Sequence, residues 1–189
     1  MWALVESGSV SKVYTRPKSI TVGDIQYPSN IFMLWTSSEL EAIGIYEVVI
    51  DNTNYKDPEY YINTNQSFAF GSGKVTATYG TATAKPLDDT GSGDTLVRGL
   101  KYNHSQTIDN QAYSLLQPND WMVVRNAESS KAIPSDWLDY RVAVRTAASD
   151  MRTKINAVAN VDALADLYKY NDATPPVRPL GEFPTEPVS

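Results

Sequence analysis

The sequence predicts an α+β protein, because strand-like segments fill most of its first half and helix-like segments fill its last third. Polar and apolar residues alternate along residues 74–79, as they do in a half-buried strand. Apolar residues recur at steps of three and four from Trp137 to Val158, which places them on one face of a helix. Five prolines after Asn171 indicate an extended tail, because proline fixes φ and lacks a backbone donor.

The length of 189 residues suits one large core or two small ones. Changes in composition along the chain predict four segments. Residues 1–50 form a small mixed β/α unit, and residues 51–110 form a β-rich middle. Residues 111–170 hold a strand followed by a helical hairpin, and residues 171–189 form the extended Pro-rich tail.

The N-terminal unit is predicted to open with a β-hairpin. Strand candidates at residues 2–6 and 9–14 flank the turn signal Ser7-Gly8. Residues 20–27 are expected to form one further strand or extended segment, which ends at Pro28.

A short helix is predicted next, over residues 36–44. Ser37 or Ser38 caps its start, acidic residues occupy its first turn, and Gly44 ends it. The β-rich run at residues 45–50 then predicts a strand.

The middle of the chain is rich in turns. Gly71-Ser72-Gly73 is typical of a hairpin turn, and the acidic segment at residues 88–94 lacks large apolar residues, which indicates an exposed loop. The strand candidates lie at residues 60–62, 67–70 and 74–79, with an extension at residues 81–85.

The last third begins with a strand candidate at residues 121–124. A helix is predicted to start just after Pro134, because proline followed by serine and aspartate is a good helix start. Asn160 is expected to stop that helix, and Asp162 to cap a second, short helix that ends at Tyr168.

Composition argues against several classes of function. The net charge of −6, with no cluster of Lys or Arg, argues against nucleic-acid binding. The absence of cysteine excludes disulfides, thiolate metal sites and cysteine nucleophiles. No signal peptide and no apolar run of about 20 residues is present, so we expect a soluble chain that does not insert into a membrane.

No residue pattern predicts catalysis, a cofactor or a metal. His104 is the only histidine and is expected to lie in an ordinary loop, away from any catalytic triad. Asp88, Asp89 and Asp94 do not match the ligand spacing of a calcium loop and are interpreted as a solvated acidic loop. Pairs of carboxylates arise by chance in a chain with 22 acidic residues, so they carry no evidence of glycosidase chemistry.

The most distinctive stretch, residues 120–145, combines Trp, Tyr and Arg. These residue types dominate the hot spots of protein interfaces, although aromatic residues at helical spacing also fill cores. We therefore expect Trp137 and Tyr140 to face the core. The residues predicted to contact a partner are Trp121, Arg125, Arg141 and Arg145.

The same stretch resembles the C-terminal box of tail-fibre-associated proteins of tailed bacteriophages, which include the tail fibre assembly family. In that box a Trp and a Tyr-Arg pair begin a helix, and a proline-containing end with an aromatic residue follows. Residues 181–187 look like that end, and they add Phe183 to the predicted partner contacts. Residues 1–49 are also similar to small phage tail proteins that start with a short hairpin. The matching residues are Asp120-Trp121, Arg125, Glu128, Ile133-Pro134-Ser135-Asp136-Trp137, Tyr140-Arg141 and Val144-Arg145.

The resemblance implies a role without catalytic residues. The first hypothesis is a structural protein of the phage virion, at the baseplate, tail adaptor or fibre attachment. It would be made in the host cytoplasm, bind other tail or fibre proteins, and belong to an oligomeric assembly. The alternative is a tail fibre assembly chaperone, and a glycan-acting enzyme of the tail ranks third.

Overall fold

The computed structural model describes residues 1–187 and confirms the α+β class. The chain divides into two compact units, Met1–Thr83 and Ala84–Ser189, of which the last two residues lie outside the described part. Strands dominate the first unit, and helices dominate the second.

The strands follow one another in short runs. They are β1 (Trp2–Glu6), β2 (Ser9–Tyr14), β3 (Ile20–Val22), β4 (Ile25–Tyr27), β5 (Ile45–Asp51), β6 (Tyr61–Ile62), β7 (Gln66–Gly71), β8 (Lys74–Tyr79) and β9 (Thr83–Ala84). The helices are α1 (Ile31–Leu34), α2 (Ser37–Ala42), α3 (Leu100–Leu116), α4 (Asp120–Ser129), α5 (Ser135–Ala157) and α6 (Val161–Asp166), with 3₁₀ turns at Gly93–Thr95 and Gln117–Asn119.

Five strands of the first unit form a mixed sheet in the order β2-β1-β5-β8-β7. Strands β5 and β8 run parallel, and the other neighbouring pairs run antiparallel. The two outer strands, β2 and β7, approach each other, so the sheet curls back toward closure. The predicted hairpins β1-β2 and β7-β8 are both confirmed.

The alternation along β1 places successive side chains in two different cores. Ala3 belongs to a cluster with Val48 and Val75 on one face of the sheet. Leu4 faces the opposite way and packs in a cluster with Phe32 of α1 and Leu40 of α2. The sheet is therefore covered with apolar side chains on both faces.

Two details of the first unit differ from the predictions. Residues 20–27 form two strands, β3 and β4, because Gly23 adopts a φ of 58° and turns the chain between them. Helix α2 is capped by Thr36 rather than by Ser37 or Ser38. The Thr36 hydroxyl accepts a hydrogen bond from the Glu39 amide, and the Glu39 carboxylate accepts one from the Thr36 amide, which forms a capping box.

Gly44 ends this helix as predicted, and the structure shows why the position needs glycine. Its φ of 81° is left-handed, and a Cβ there would lie 2.9 Å from the Val5 carbonyl oxygen. The Gly44 carbonyl also accepts a hydrogen bond of 2.8 Å from the Val5 amide, which ties the start of β5 to β1.

Replacing Gly44 by alanine should therefore combine backbone strain with a steric clash. We expect a loss of about 2–3 kcal/mol in the free energy of unfolding, measured by urea denaturation. Gly73→Ala is the matched control, because Gly73 has a similar φ of 73° but nothing within 4 Å of its added Cβ. Equal losses in the two variants would show that the contact with Val5 is unimportant.

The second unit is built on the packing of α3 with the long helix α5. Helix α5 starts at Ser135, just after Pro134, as predicted. Its predicted core face is confirmed, although Val158 lies just after the end of the helix. The short helix α6 is capped by Asn160, whose side chain accepts a hydrogen bond of 2.8 Å from the Ala163 amide, so Asp162 is not its cap. The buried residues of α5 are Tyr140, Arg141, Val144, Ala148, Met151 and Ile155.

The predicted secondary structure is wrong at two places in this unit. Residues 121–124 belong to helix α4 and do not form a strand. The β-rich middle ends before residue 110, because α3 begins at Leu100, and His104 is a buried residue of this helix instead of a loop residue. In both places helix packing overrides a local composition rich in β-branched or turn-forming residues.

Candidate partner-binding surface

Helix α4 carries an aromatic–cationic pair that consists of an exposed Trp121 and a half-buried Arg125. Trp121 and Arg125 are one helical turn apart, and the Arg125 guanidinium lies 4.7 Å from the centre of the Trp121 ring. Trp121 is 53% exposed, and the neighbouring side chain of Val124 is 54% exposed. Met122 is the buried residue of α4, so most of the helix surface faces outward.

The guanidinium of Arg125 has donors without a hydrogen-bond partner among the described residues. Its Nε is shielded from solvent and has no hydrogen-bond partner, and no described residue accepts a hydrogen bond from its terminal nitrogens. A guanidinium stacked on an indole is held in place by the ring while its donors remain unused. The terminal nitrogens of such a guanidinium can donate to a partner's carboxylate or carbonyl beside an apolar contact, whereas the shielded Nε is not accessible to a partner.

Arg141 does not belong to this exposed surface, and its predicted role as a partner contact is corrected. Its side chain is 4% exposed, and its Nη2 lies 2.6 Å from Asp120 Oδ1. Its Nη1 donates a hydrogen bond of 3.1 Å to the Leu116 carbonyl, at the end of α3. Arg141 therefore joins the C-terminal end of α3 to the start of α4, where Asp120 is the first residue.

The other predicted residues of α5 are divided between surface and core. Arg145 is exposed, and its Nη1 lies 3.4 Å from the Arg141 carbonyl oxygen. Tyr140 is buried and packs edge-on against the half-buried Trp137, with ring centres 5.9 Å apart. Burial, with a smaller contribution from the charge of Glu186, raises the pKa of Tyr140 above its ordinary value.

Phe183 lies in a different place from the Trp121–Arg125 pair. It lines an open groove of about 740 Å³ between the tail and α3. The α3 residues of this groove are mostly polar, and Leu115 is the large apolar one among them. The lining residues are Thr107, Asn110, Gln111, Ser114, Leu115, Arg178, Glu182, Phe183 and Pro184.

The tail contains no helix or strand within residues 171–187, but it is attached to the helices. Leu180 is 1% exposed, and its amide donates a hydrogen bond of 2.9 Å to the Leu167 carbonyl. The Lys154 ammonium group on α5 donates to the carbonyls of Pro179 and Leu180. The Pro-rich segment thus supplies a core residue, which composition did not predict.

Arg178 connects the tail to the segment that follows α6. Its guanidinium lies over the rings of Tyr168 and Tyr170 and forms an ion pair of 2.8 Å with Glu182. The Tyr170 hydroxyl donates to the same Glu182 carboxylate at 2.7 Å, and this hydrogen bond raises the pKa of Tyr170. This aromatic and charged cluster was missed from the sequence.

His104 has a structural partner. Its Nδ1 lies 2.8 Å from the Tyr168 hydroxyl, and the two rings are 5.0 Å apart. The hydrogen bond links α3 to the segment after α6 and gives Nδ1 of a buried histidine a partner.

The acidic segment at residues 88–94 is exposed as expected, but two of its carboxylates are ion-paired. Asp89 accepts hydrogen bonds from the Gly99 amide and from Arg98, and Asp88 pairs with Lys101 at 2.9 Å. The hydrogen bond from Gly99, followed by that from Arg98, lowers the pKa of Asp89. Within residues 1–187 no group of three or more acidic or histidine side chains could hold a metal ion.

The lowered pKa of Asp89 predicts a pH dependence. A carboxylate with a depressed pKa in the folded state stabilises the fold above its unfolded pKa, about 3.9, and loses that contribution as pH falls through the folded value. Asp89→Asn should therefore flatten the dependence of unfolding free energy on pH below about 4, measured by urea denaturation. Asp94→Asn, in the same loop, serves as control. An unchanged acid profile in Asp89→Asn would contradict the assignment.

No protein-family model, curated protein or solved structure matches this chain. In the part of the chain that the structure describes, no helix combines the length and apolarity that crossing a membrane requires. Of the predicted contact residues, the structure groups Trp121 with Arg125, places Phe183 in a separate groove and buries Arg141 in the fold.

Proposed function

We propose that this chain is a non-enzymatic structural protein of a bacteriophage tail, which acts by binding other tail or fibre proteins in the virion. The observation that carries the proposal is the pair of the exposed Trp121 and the half-buried Arg125 on α4, in a segment that resembles the C-terminal box of tail-fibre-associated proteins. Trp and Arg are the residues most enriched where binding energy concentrates at interfaces.

The anchored tail fits this role. The resemblance extends to residues 181–187. Within this segment Glu182 and Pro184 line both the groove against α5 and the groove against α3, and Phe183 lines the groove against α3. A tail that is tied down in the free chain presents its surface without a further ordering cost, which favours stable incorporation into an assembly. Oligomerisation within the particle belongs to the same proposal.

Mass spectrometry of purified virions tests the proposal. Particles from the phage that encodes this chain should contain it in a fixed ratio to a known tail protein. A Trp121→Ala, Arg125→Ala double variant should be depleted from particles, whereas Val177→Ala, at a 50% exposed tail position, should be incorporated normally. Absence of the wild-type chain from intact virions would contradict the structural role.

The chaperone alternative rests on the same exposed apolar surface, because transient binding of an unassembled fibre would also use it. It predicts a different distribution of the protein. The chain would be absent from virions, and co-expression would raise the soluble yield of the adjacent fibre protein. Unchanged fibre solubility on co-expression would argue against it.

A further inference from the structure

A second groove of the C-terminal unit lies along α5, on the other side of the tail from Phe183. It has a volume of about 470 Å³ and opens to solvent. Glu182 and Pro184 of the tail form one wall, and α5 forms the other. The α5 residues that line it are Asp139, Val142, Ala143, Thr146, Ala147 and Asp150.

Between its carboxylates the α5 side of this groove is lined by Val142, Ala143, Ala147 and Thr146. Val142 is 54% exposed, and Leu138, which lies one helical turn earlier and outside the lining of the groove, is 50% exposed. Ala143 and Ala147 follow at a spacing of four with short side chains, so another helix could approach the α5 backbone closely. Exposed apolar side chains next to small ones along one helix face are the shape that a helix-in-groove interaction uses.

The two ends of the groove carry negative charge that no described residue neutralises. Asp139 and Asp150 are eleven residues apart, which is about three turns and about 16 Å along the helix. Neither forms an ion pair within residues 1–187, and no Lys or Arg lines the groove. The third carboxylate, that of Glu182, is already bound by Arg178 and Tyr170.

Nearby cations are directed elsewhere. Lys154, one turn after Asp150, donates its hydrogen bonds to the Pro179 and Leu180 carbonyls. Arg145 is directed toward the Arg141 carbonyl and does not line the groove. Ala143 and Ala147 therefore lie between two carboxylates, those of Asp139 and Asp150, that form no ion pair within the described residues.

We propose that this groove binds a basic amphipathic helix of a partner protein, with small or apolar side chains on Val142 and Ala143–Ala147 and a Lys or Arg near each of Asp139 and Asp150. A second copy of this chain is a poor occupant. Antiparallel pairing of two α5 helices about the groove centre would place Asp139 of one copy opposite Asp150 of the other, and opposed like charges disfavour binding. The proposal does not depend on a virion role or on the Trp121–Arg125 surface.

A designed peptide tests the proposal on the full-length protein. The probe is an 18-residue helical peptide with Leu and Ala on one face and Lys at two positions eleven residues apart. The control peptide carries Glu at those two positions. We expect the Lys peptide to bind at least tenfold more tightly in fluorescence anisotropy, and amide shifts in NMR spectra to concentrate at residues 138–150 and 182–184.

Two protein variants separate charge complementarity from a general attraction to an acidic chain. Asp139→Asn with Asp150→Asn should remove the preference for the Lys peptide. Asp94→Asn with Asp172→Asn changes the net charge equally at exposed positions outside the groove and should keep it. Equal binding of the two peptides, shifts confined to other surfaces, or dimerisation through α5 in sedimentation would overturn the proposal, whether or not the chain is found in virions.

Discussion

Replacing Leu180 by alanine is expected to lower the free energy of unfolding by about 2–5 kcal/mol, because the side chain is fully buried and its loss leaves a cavity. Leu180 is 1% exposed although it lies in the Pro-rich tail. Its amide donates to the Leu167 carbonyl, and its carbonyl accepts from Lys154, so its side chain is held in a fixed position in the fold. Urea denaturation measures the loss.

Val177→Ala is the control for the tail. Val177 is 50% exposed, and its replacement should change the stability by less than about 0.5 kcal/mol. Hydrogen exchange should show faster exchange in α5 and α6 for Leu180→Ala but not for Val177→Ala. Similar small losses in both variants would mean that the tail is not part of the folded unit.

Removing the carboxylate of Asp120 is expected to be the second large effect. Asp120→Ala leaves the Arg141 guanidinium buried without its counter-charge, and breaking such a pair costs about 3–5 kcal/mol in fully buried cases. Because the Asp120 side chain is 51% exposed, we expect a loss of about 2–4 kcal/mol, measured by urea denaturation. Water reaches the half-exposed Asp120 carboxylate but not the buried Arg141 guanidinium, so the expected loss is smaller than for a fully buried pair.

The double variant Asp120→Ala, Arg141→Met tests the cause of that loss. Methionine removes the stranded charge and keeps much of the side-chain volume, so the double variant should be more stable than Asp120→Ala alone. Asp172→Ala, at an exposed position, should change the stability by less than about 0.5 kcal/mol. A double variant no more stable than Asp120→Ala would show that charge burial is not the source of the effect.

Elements with a strong period or a distinct turn could be predicted from the sequence. The hairpin β7-β8 follows from alternation around Gly71-Ser72-Gly73, and the core face of α5 follows from spacings of three and four. Gly44 was identified as a helix end because the left-handed φ that ends a helix is a local property, whereas its close approach to Val5 is a distant contact that was not predicted. These features are decided within a few residues, which is the range that sequence patterns cover.

Features that depend on distant contacts could not be predicted. The run Trp121–Val124 is apolar, and four residues are too few to distinguish the period of a strand from that of a helix. It belongs to α4, which follows a 3₁₀ turn and begins at Asp120, the ion-pair partner of Arg141. Arg141 and Arg145 share a helix face by spacing, but the sequence does not show that Asp120 lies beside Arg141. Leu180 was missed because prolines around it indicated an extended segment and gave no information about docking.

For the same reason, only part of the grouping of the predicted contact residues could be predicted from the sequence. Trp121 and Arg125 are one turn apart within a single helix, so their association needs no tertiary information once the helix is known. Phe183 entered through a resemblance at the end of the chain, and its groove depends on α3, which lies far away in sequence. Its role as a partner contact stays a prediction, as do those of Trp121, Arg125 and Arg145.

Photo-crosslinking in purified virions tests most directly the proposed contact between α4 and a tail or fibre protein. A benzoylphenylalanine residue would replace Trp121 in one variant and the exposed Val177 in a control variant, and both would be incorporated during infection. We predict a crosslink from position 121 to another tail or fibre protein, and none of comparable yield from position 177. Particles that contain the variant chain but give no crosslink from position 121 would contradict the proposed surface.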